Sequence, residues 1–143
     1  MVIPTVNFMS YNSTGINSVK ADWVRNLYKL SKCDFISLQE HFKKNKTIDK
    51  FFKDQFPEHI SYVIPGHREQ HQDSGRPKGG IAQMIDKKIN VKTDRVATSS
   101  FRIQAQILNF PASRIIWLNT YFPTDPGLAN FDEEGLLELL GGD

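Results

Sequence analysis

Polar side chains that can bind a metal ion or move a proton follow apolar stretches at several points of the sequence. Asn12 follows a stretch that contains Val6 and Phe8, and Glu40 follows the short apolar run of residues 35–38. A carboxylate at the end of a buried, rigid strand suits a metal ligand or a general base. A glutamate that only begins a surface loop would look the same in the sequence. The interpretation of Glu40 therefore depends on which other polar residues lie near it.

The elements around Asn12 and Glu40 predict that both residues lie at one rim of a sheet. Residues 2–9 read as a strand, and a helix with Ser18 as its N-cap ends near Lys32. A strand, a helix and a second strand of these lengths form a crossover unit with parallel strands. The buried face of the helix is predicted from large apolar residues at helical spacing. These residues are Val19, Trp23, Leu27 and Leu30, with Val24 alongside.

A third candidate position follows a predicted hairpin. Residues 101–107 alternate strictly between apolar and polar, which predicts a strand with one buried face. A turn then leads into the apolar run 115–118, so the two segments predict an antiparallel pair. Asn119 and Tyr121 come directly after it. Other elements are predicted with less detail: a helix at 48–56, strands at 62–64 and 81–85, a long polar loop at 67–77 and a helix at 131–140.

Length and composition limit the class of protein. The chain has 143 residues, 39% of them hydrophobic, which predicts one folded domain. A net charge of +2 is compatible with a nucleic-acid partner without indicating one. The single cysteine, Cys33, excludes an internal disulfide and a cysteine-cluster zinc site. The sequence lacks both a membrane span and the apolar segment of a signal peptide, so we expect an intracellular, non-secreted protein with no membrane partner.

Four short motifs occur in order along the chain: Tyr11-Asn12, Leu38-Gln39-Glu40, Asn119-x-Tyr121-x-Pro123 and Gly142-Asp143. Their joint order resembles the endonuclease/exonuclease/phosphatase superfamily. The surrounding residues, including 63–68 and 73–78, are most similar to the endonuclease domains of non-LTR (LINE-type) retrotransposons. The resemblance implies a partial two-layer α/β sandwich, about one of the two sheets with its flanking helices. Residues 1–143 then form the N-terminal part of one truncated domain.

The resemblance also implies an activity and its residues. The activity is magnesium-dependent phosphodiester hydrolysis by a DNA endonuclease that nicks DNA in the nucleus, with Mn²⁺ as a possible substitute for Mg²⁺. Mg²⁺ binds through one or two carboxylates and keeps several waters. Glu40 and Asn12 are the implied metal ligands, Tyr121 and Asn119 the implied phosphate donors, and Asp143 the acid that orients water. The implied contacts to the DNA backbone are Arg68, Arg76 and Lys78.

Two parts of the family pattern do not occur in the sequence. The asparagine that follows Gly-Asp is absent, and none of His41, His59, His67 or His71 stands where the catalytic histidine of the family belongs. We therefore expect a domain that lacks the C-terminal half of the fold and is inactive by itself. Two other interpretations stay open. One is a phosphatase or deadenylase of the same superfamily, and the other is a decayed, non-catalytic fragment that binds nucleic acid weakly.

Overall fold

The computed structural model describes residues 5–66 and 79–122, and within these ranges the chain forms seven strands and two helices. In chain order they are β1 (Phe8–Asn12), α1 (Ser18–Ser31), β2 (Phe35–Gln39), α2 (Asn45–Gln55), β3 (His59–Ile64), β4 (Ile81–Asp86), β5 (Lys92–Val96), β6 (Ile103–Phe110) and β7 (Ser113–Thr120). Neither α1 nor α2 is long and apolar enough to cross a membrane.

The strands form two sheets. The first has the order β1-β2-β4-β3, and its strands β1 and β2 are parallel, as the predicted crossover unit requires. The second, β5-β6-β7, is antiparallel and contains the predicted hairpin as β6 and β7. The predicted α/β sandwich is thus confirmed. We expected about one of the two sheets with its helices. The described strands form parts of two sheets, with four strands in the first and three in the second.

Two predicted boundaries near the N-terminus were wrong. The first strand was predicted over residues 2–9. It comprises Phe8–Asn12, so residues 5–7 precede it and Asn12 is its last residue, while residues 2–4 lie outside the described part of the chain. The N-cap of α1 is Asn17 and not Ser18, because Asn17 Oδ1 accepts a hydrogen bond of 2.9 Å from the backbone N–H of Lys20. Asparagine and serine are both favoured at this position, so the residue types alone do not decide between neighbours.

The buried face of α1 also differs from the prediction. Ala21 and Val24 are fully buried in the core against the first sheet. The large residues at helical spacing lie on the other side of the helix and are exposed: Val19 56%, Trp23 54%, Leu27 46% and Leu30 83%. The helix thus carries apolar residues on two faces, and its small residues face the sheet.

Two apolar cores hold the layers together. The first lies between the helices and the first sheet, and its largest buried members are Ile36, Leu38, Phe52, Phe56 and Met84. The second lies between the two sheets, around Phe35, Ile85, Leu108 and Trp117. Each fully buried side chain of this size stabilises the fold by about 1.5–3 kcal/mol relative to an exposed one. Strand β2 supplies Phe35 and Ile36 to opposite cores, which explains its unbroken apolar sequence.

The space between the sheets also contains amide side chains. Gln104 and Gln106, which the alternation of β6 predicted to be exposed, are 2% and 0% exposed. The amide Nε2 of Gln104 donates to the Tyr62 carbonyl across the gap at 2.7 Å, and Gln83 Nε2 donates to the Trp117 carbonyl at 2.9 Å. The prediction of one buried face for β6 was therefore wrong, because both faces of the strand are covered and polar glutamines are buried between the sheets.

Replacing Gln106 by methionine is expected to stabilise the protein by about 1–2 kcal/mol, because a buried amide without partners carries a desolvation cost. Neither amide atom of Gln106 has a hydrogen-bond partner in the described part of the chain. Urea unfolding measures the difference. Gln104→Met is the matched control and is expected to destabilise, since it removes the bond to the Tyr62 carbonyl. A loss of stability in both variants would contradict the prediction.

Candidate active site

The ends of β1 and β2 are joined by a set of short hydrogen bonds. The backbone N–H of Ser13 donates to the Gln39 carbonyl at 2.9 Å, and that of Gly15 donates to the Glu40 carbonyl at 2.6 Å. The Ser13 hydroxyl lies 3.0 and 2.9 Å from the same two carbonyl oxygens. These bonds hold the loop after Asn12 beside Glu40, as the parallel pairing of the strands predicts.

A cleft of about 590 Å³ opens at this rim, and Asn12, Glu40 and Tyr121 line it together. The predicted site residues at three strand ends thus meet at one place, across the two sheets. Its walls between β1 and β7 are partly apolar, formed by Phe8, Trp117 and Leu118. Glu40 forms no salt bridge with any described residue, so its charge is available to the cleft.

Glu40 has a backbone conformation that side chains other than glycine rarely adopt, with φ of 55°. Such a conformation costs on the order of 1–3 kcal/mol and persists only where the surroundings impose it. Here the Glu40 carbonyl accepts from Gly15, and the next N–H, that of His41, donates to the Gly80 carbonyl at 3.2 Å. Neighbouring loops thus fix the turn that takes Glu40 out of the line of β2.

Tyr121 lies against this carboxylate. Burial raises the pKa of Tyr121, and the hydrogen bond to Glu40 and the negative charge of Glu40 raise it further. The phenol is therefore protonated at neutral pH and donates to the Glu40 carboxylate. Its backbone N–H donates to the Arg102 carbonyl at 2.9 Å, which fixes the start of the segment after β7.

Asn119 is buried behind the cleft and is 1% exposed. Its Nδ2 donates to the carbonyls of Leu38 at 3.1 Å and Ala82 at 2.9 Å, and its Oδ1 accepts from Gln39 Nε2 at 2.8 Å. Both amide hydrogens therefore bond to the first sheet. In this structure Asn119 therefore holds β7 against β2, and the phosphate contact that the resemblance implies for it stays a prediction.

Gln39 is a residue whose role the sequence did not reveal. Its amide nitrogen donates to Asn119 in the second sheet and to the Ser10 hydroxyl, at 3.1 Å, in β1. It therefore links the three strands that border the cleft, directly before Glu40. Its position in the sequence could have indicated this role, because a polar side chain at the end of a buried strand needs hydrogen-bond partners.

Asn12 is exposed, and its side chain bends back onto its own loop. Asn12 Oδ1 accepts from the backbone N–H of Thr14 at 3.0 Å and lies 3.2 Å from the Thr14 hydroxyl. The amide is thus held at the mouth of the cleft by a local turn. A carbonyl oxygen has two lone pairs, so these bonds do not exclude a further ligand role.

His41 is fully buried and stabilises the loop after Glu40. Its Nδ1 accepts from the Lys43 backbone N–H at 2.9 Å, so its Nε2 carries the hydrogen and donates to the Ile64 carbonyl at 2.8 Å. Burial lowers the pKa of His41 to about 4. The sequence showed a histidine beside Glu40, and the structure gives it a supporting position with a neutral ring.

Stability is expected to fall by about 2 kcal/mol between pH 7 and pH 5 through His41 alone. In the unfolded chain its pKa is near 6.5, and in the folded protein it is about 4. The unfolded state therefore binds more protons in this interval, and stability is lost as the pH falls. Urea unfolding at several pH values measures this. In His41→Gln this part of the slope should vanish, while the part due to His59, whose pKa burial also lowers, should remain. An unchanged slope in the variant would contradict the assignment.

Known proteins match this chain in fold and not in sequence. No family model matches the chain, and no curated protein matches its sequence. Among solved structures, the AP endonuclease LMAP from Leishmania major matches with a TM-score of 0.70 and 19% identity, covering 94% of this chain and 47% of that one. The endonuclease domain of TRAS1, a telomere-specific non-LTR retrotransposon, matches with a TM-score of 0.64 and 14% identity, covering 97% and 56%.

The chain has the endonuclease/exonuclease/phosphatase fold. Two further structures agree. D. rerio TDP2 in complex with a single-strand DNA product matches with a TM-score of 0.60, 15% identity and coverage of 95% and 53%. The human Nocturnin catalytic domain with a bound sulfate anion also gives 0.60, with 14% identity and coverage of 96% and 59%. The chain thus spans about half the length of these proteins, which fits the expected N-terminal part of the domain.

Within this fold, the residues of the cleft fit a hard, oxygen-preferring cation. The described residues contain no cluster of three or more histidine, cysteine or acidic side chains. Such a cluster is typical of zinc, whereas Mg²⁺ binds through one or two carboxylates and keeps several waters. One carboxylate without a salt bridge, Glu40, and one amide oxygen, that of Asn12, match the second type of site.

The other site residues that the resemblance implies lie outside the part of the chain that the structure describes. These are Asp143 and the proposed DNA contacts Arg68, Arg76 and Lys78. Their roles stay predictions. The same holds for the catalytic roles of Glu40, Asn12 and Tyr121, although the structure brings these three side chains into one cleft.

Proposed function

We propose that the chain is the N-terminal part of a metal-dependent DNA endonuclease of the non-LTR retrotransposon type, which nicks DNA by hydrolysing a phosphodiester. The observation that carries the proposal is the cleft at the carboxyl ends of β1 and β2, where Asn12, Glu40 and Tyr121 meet. A carboxylate, an amide and a protonated phenol are groups that can bind a cation and a phosphate in phosphodiester hydrolysis.

Each residue has a definite role in this proposal. Glu40, with Asn12 beside it, holds Mg²⁺ or Mn²⁺, which when bound neutralises charge on the phosphate oxygens. Tyr121 keeps its proton because its pKa is raised. Its single O–H donates to Glu40 in the free protein and, in this proposal, turns to a phosphate oxygen when the substrate binds. Gln39 and Asn119 hold the two strand ends together across the sheets, which fixes the distance between Glu40 and Tyr121.

DNA is the proposed substrate, and we propose a nuclear location, as the resemblance implies. Support comes from two of the neighbours, the TRAS1 endonuclease domain and TDP2 with its single-strand DNA product. Lysine and arginine side chains that contact phosphates supply affinity that does not depend on base sequence. We assign this role to Arg68, Arg76 and Lys78, as the resemblance implies.

The remaining catalytic groups belong to a part of the fold that this chain does not contain. In the described structure β1 pairs only with β2, and β7 pairs only with β6. Among the described residues both strands thus lie at the edge of their sheet, and both border the cleft. The proposed C-terminal half adds strands at these edges and brings the general base, so the chain alone is expected to bind a divalent cation but not to cleave.

The test is a comparison of substrates with Mg²⁺ present. The chain alone and the chain extended with a C-terminal half of this fold are incubated with supercoiled plasmid, with poly(A) RNA and with a soluble phosphomonoester. Nicking of the plasmid by the extended chain supports the proposal. Preference for the phosphomonoester or for poly(A) would instead indicate a phosphatase or a deadenylase, and no hydrolysis by the extended chain would favour the non-catalytic fragment.

A further inference from the structure

The outer face of α1 is apolar, which is unusual for a helix on a protein surface. Val19, Trp23, Leu27 and Leu30 follow one another at intervals of four, four and three residues and are 46–83% exposed. We name this row the α1 stripe. It lies on the side opposite to Ala21 and Val24, which face the core. Solvent-facing sides of surface helices are normally polar, so the α1 stripe requires an explanation.

The size of the α1 stripe argues for a docking surface. Its four side chains leave on the order of 400 Å² of apolar surface, within the range in which the largest patch of a monomer is often functional. The row also has the geometry of a helix–helix contact, since residues four apart form the ridges that pack into the grooves of a second helix. The partner is therefore expected to present a helix.

The charges beside the α1 stripe select the partner and its direction. Asp22 and Lys29 lie on the same flank of the stripe, two helical turns apart. When two copies of α1 pair antiparallel, each Asp22 meets Lys29 of the other copy, and each Trp23 meets Leu27. In a parallel pair this flank of one copy would lie on the side of the seam opposite to that of the other copy, so Asp22 would not meet Lys29. The side chain of Asp22 is 66% exposed although it also binds Arg25, so it is accessible to a second cation.

We propose that the α1 stripe is a self-association surface, through which two copies of this chain form an antiparallel α1–α1 dimer. The contact is isologous, with the same residues on both sides, as in most homodimers. Two stripes and their flanks bury roughly 1,000 Å², at the lower end of specific interfaces. The dimer is therefore weak and depends on concentration. It uses none of the residues of the cleft, so it does not rest on the proposed function.

Sedimentation equilibrium of the chain between about 1 and 500 μM tests the proposal. We expect a monomer–dimer equilibrium whose Kd rises at least tenfold in Leu27→Glu. The matched control is Ile116→Asn, which removes an apolar side chain that is 59% exposed on β7 and should leave the Kd unchanged. A chain that stays monomeric at all concentrations overturns the proposal. So does a dimer that survives Leu27→Glu and is lost in Ile116→Asn.

Charge reversal tests the direction without changing the apolar residues. Asp22→Lys and Lys29→Asp are each expected to raise the Kd by about threefold or more, because each places equal charges opposite each other. The double variant should return the Kd to that of the unchanged chain. Circular dichroism and urea unfolding check that the variants fold. Single variants that weaken the dimer without recovery in the double variant would rule out the antiparallel arrangement.

Discussion

Replacing Glu40 by glutamine is expected to slow plasmid nicking by about 10³-fold or more in the chain extended with the C-terminal half of the fold. The substitution keeps the size of the side chain and an oxygen that can accept from Tyr121. It removes the one carboxylate that lines the cleft among the described residues. Without that charge the cation is held poorly, and the phosphate loses the charge stabilisation that the cation supplies. Nicking is measured under single-turnover conditions over a range of Mg²⁺ concentrations.

Glu58→Gln is the matched control for this experiment. Glu58 is exposed and directly precedes β3, at the edge of the first sheet opposite to the cleft. Its replacement is expected to leave the nicking rate unchanged. Nicking by the extended Glu40→Gln variant at the rate of the unchanged extended chain would remove Glu40 from the site. Robust nicking by the unextended chain would show that the missing groups are not required.

Cation binding gives a second readout that does not depend on catalysis. Electron paramagnetic resonance of Mn²⁺ reports binding to the unextended chain directly. We expect Glu40→Gln to weaken this binding at least tenfold, because one carboxylate supplies most of the protein's charge in the proposed site. Equal binding by both forms would place the cation elsewhere, even if nicking were lost.

The sequence predicted that Asn12 and Glu40 lie together because the direction in which strands pair decides where their ends lie. The apolar run of β2 and the helical length of the segment before it require a crossover, and parallel strands bring their carboxyl ends to one edge. Asn12 and Glu40 therefore had to be neighbours. Tyr121 joins them from the second sheet, because the hairpin of β6 and β7 runs its last residues to the same cleft.

The sequence did not predict the hydrogen bonds of the buried side-chain amides, because their partners come from distant parts of the chain. Gln104 and Asn119 looked like surface or substrate-binding residues, and both bond across the gap between the sheets. The face of α1 was misassigned for a related reason. Large apolar residues were taken as the core together with Val24. Of these only Val24 is buried, and beside it the small residue Ala21 makes the close approach of helix and sheet.

A loop of two glycines shows how the strained turn at Glu40 is maintained. The carbonyls of Gly79 and Gly80 accept hydrogen bonds from the N–H groups of Phe42 and His41, at 3.0 and 3.2 Å. Both glycines have positive φ, 72° and 89°. A Cβ on Gly80 would lie 2.2 Å from His41 Cε1 and 2.6 Å from both ring nitrogens, whereas a Cβ on Gly79 would be 3.5 Å from the Tyr121 ring.

Gly80→Ala is therefore expected to destabilise the protein by about 4 kcal/mol, from the strain of a positive φ together with overpacking against His41. The ring cannot simply move away, since hydrogen bonds to Lys43 and Ile64 hold both of its nitrogens. Gly79→Ala carries the same kind of strain without the clash and is expected to cost about 1 kcal/mol. Urea unfolding measures both. Equal losses in the two variants would show that the His41 ring does not restrict this position.

A double-mutant cycle separates the clash from the strain. His41→Ala removes the ring that the new methyl group would meet, at the cost of the two ring hydrogen bonds. In the His41→Ala background, Gly80→Ala should then cost only its backbone strain, so the coupling between the two substitutions is expected to be about 2 kcal/mol or more. Additive losses would mean that the backbone alone accounts for the effect. A measured coupling would establish that the glycine is required by the buried histidine, whose backbone follows directly from Glu40 and fixes the carboxylate at the cleft.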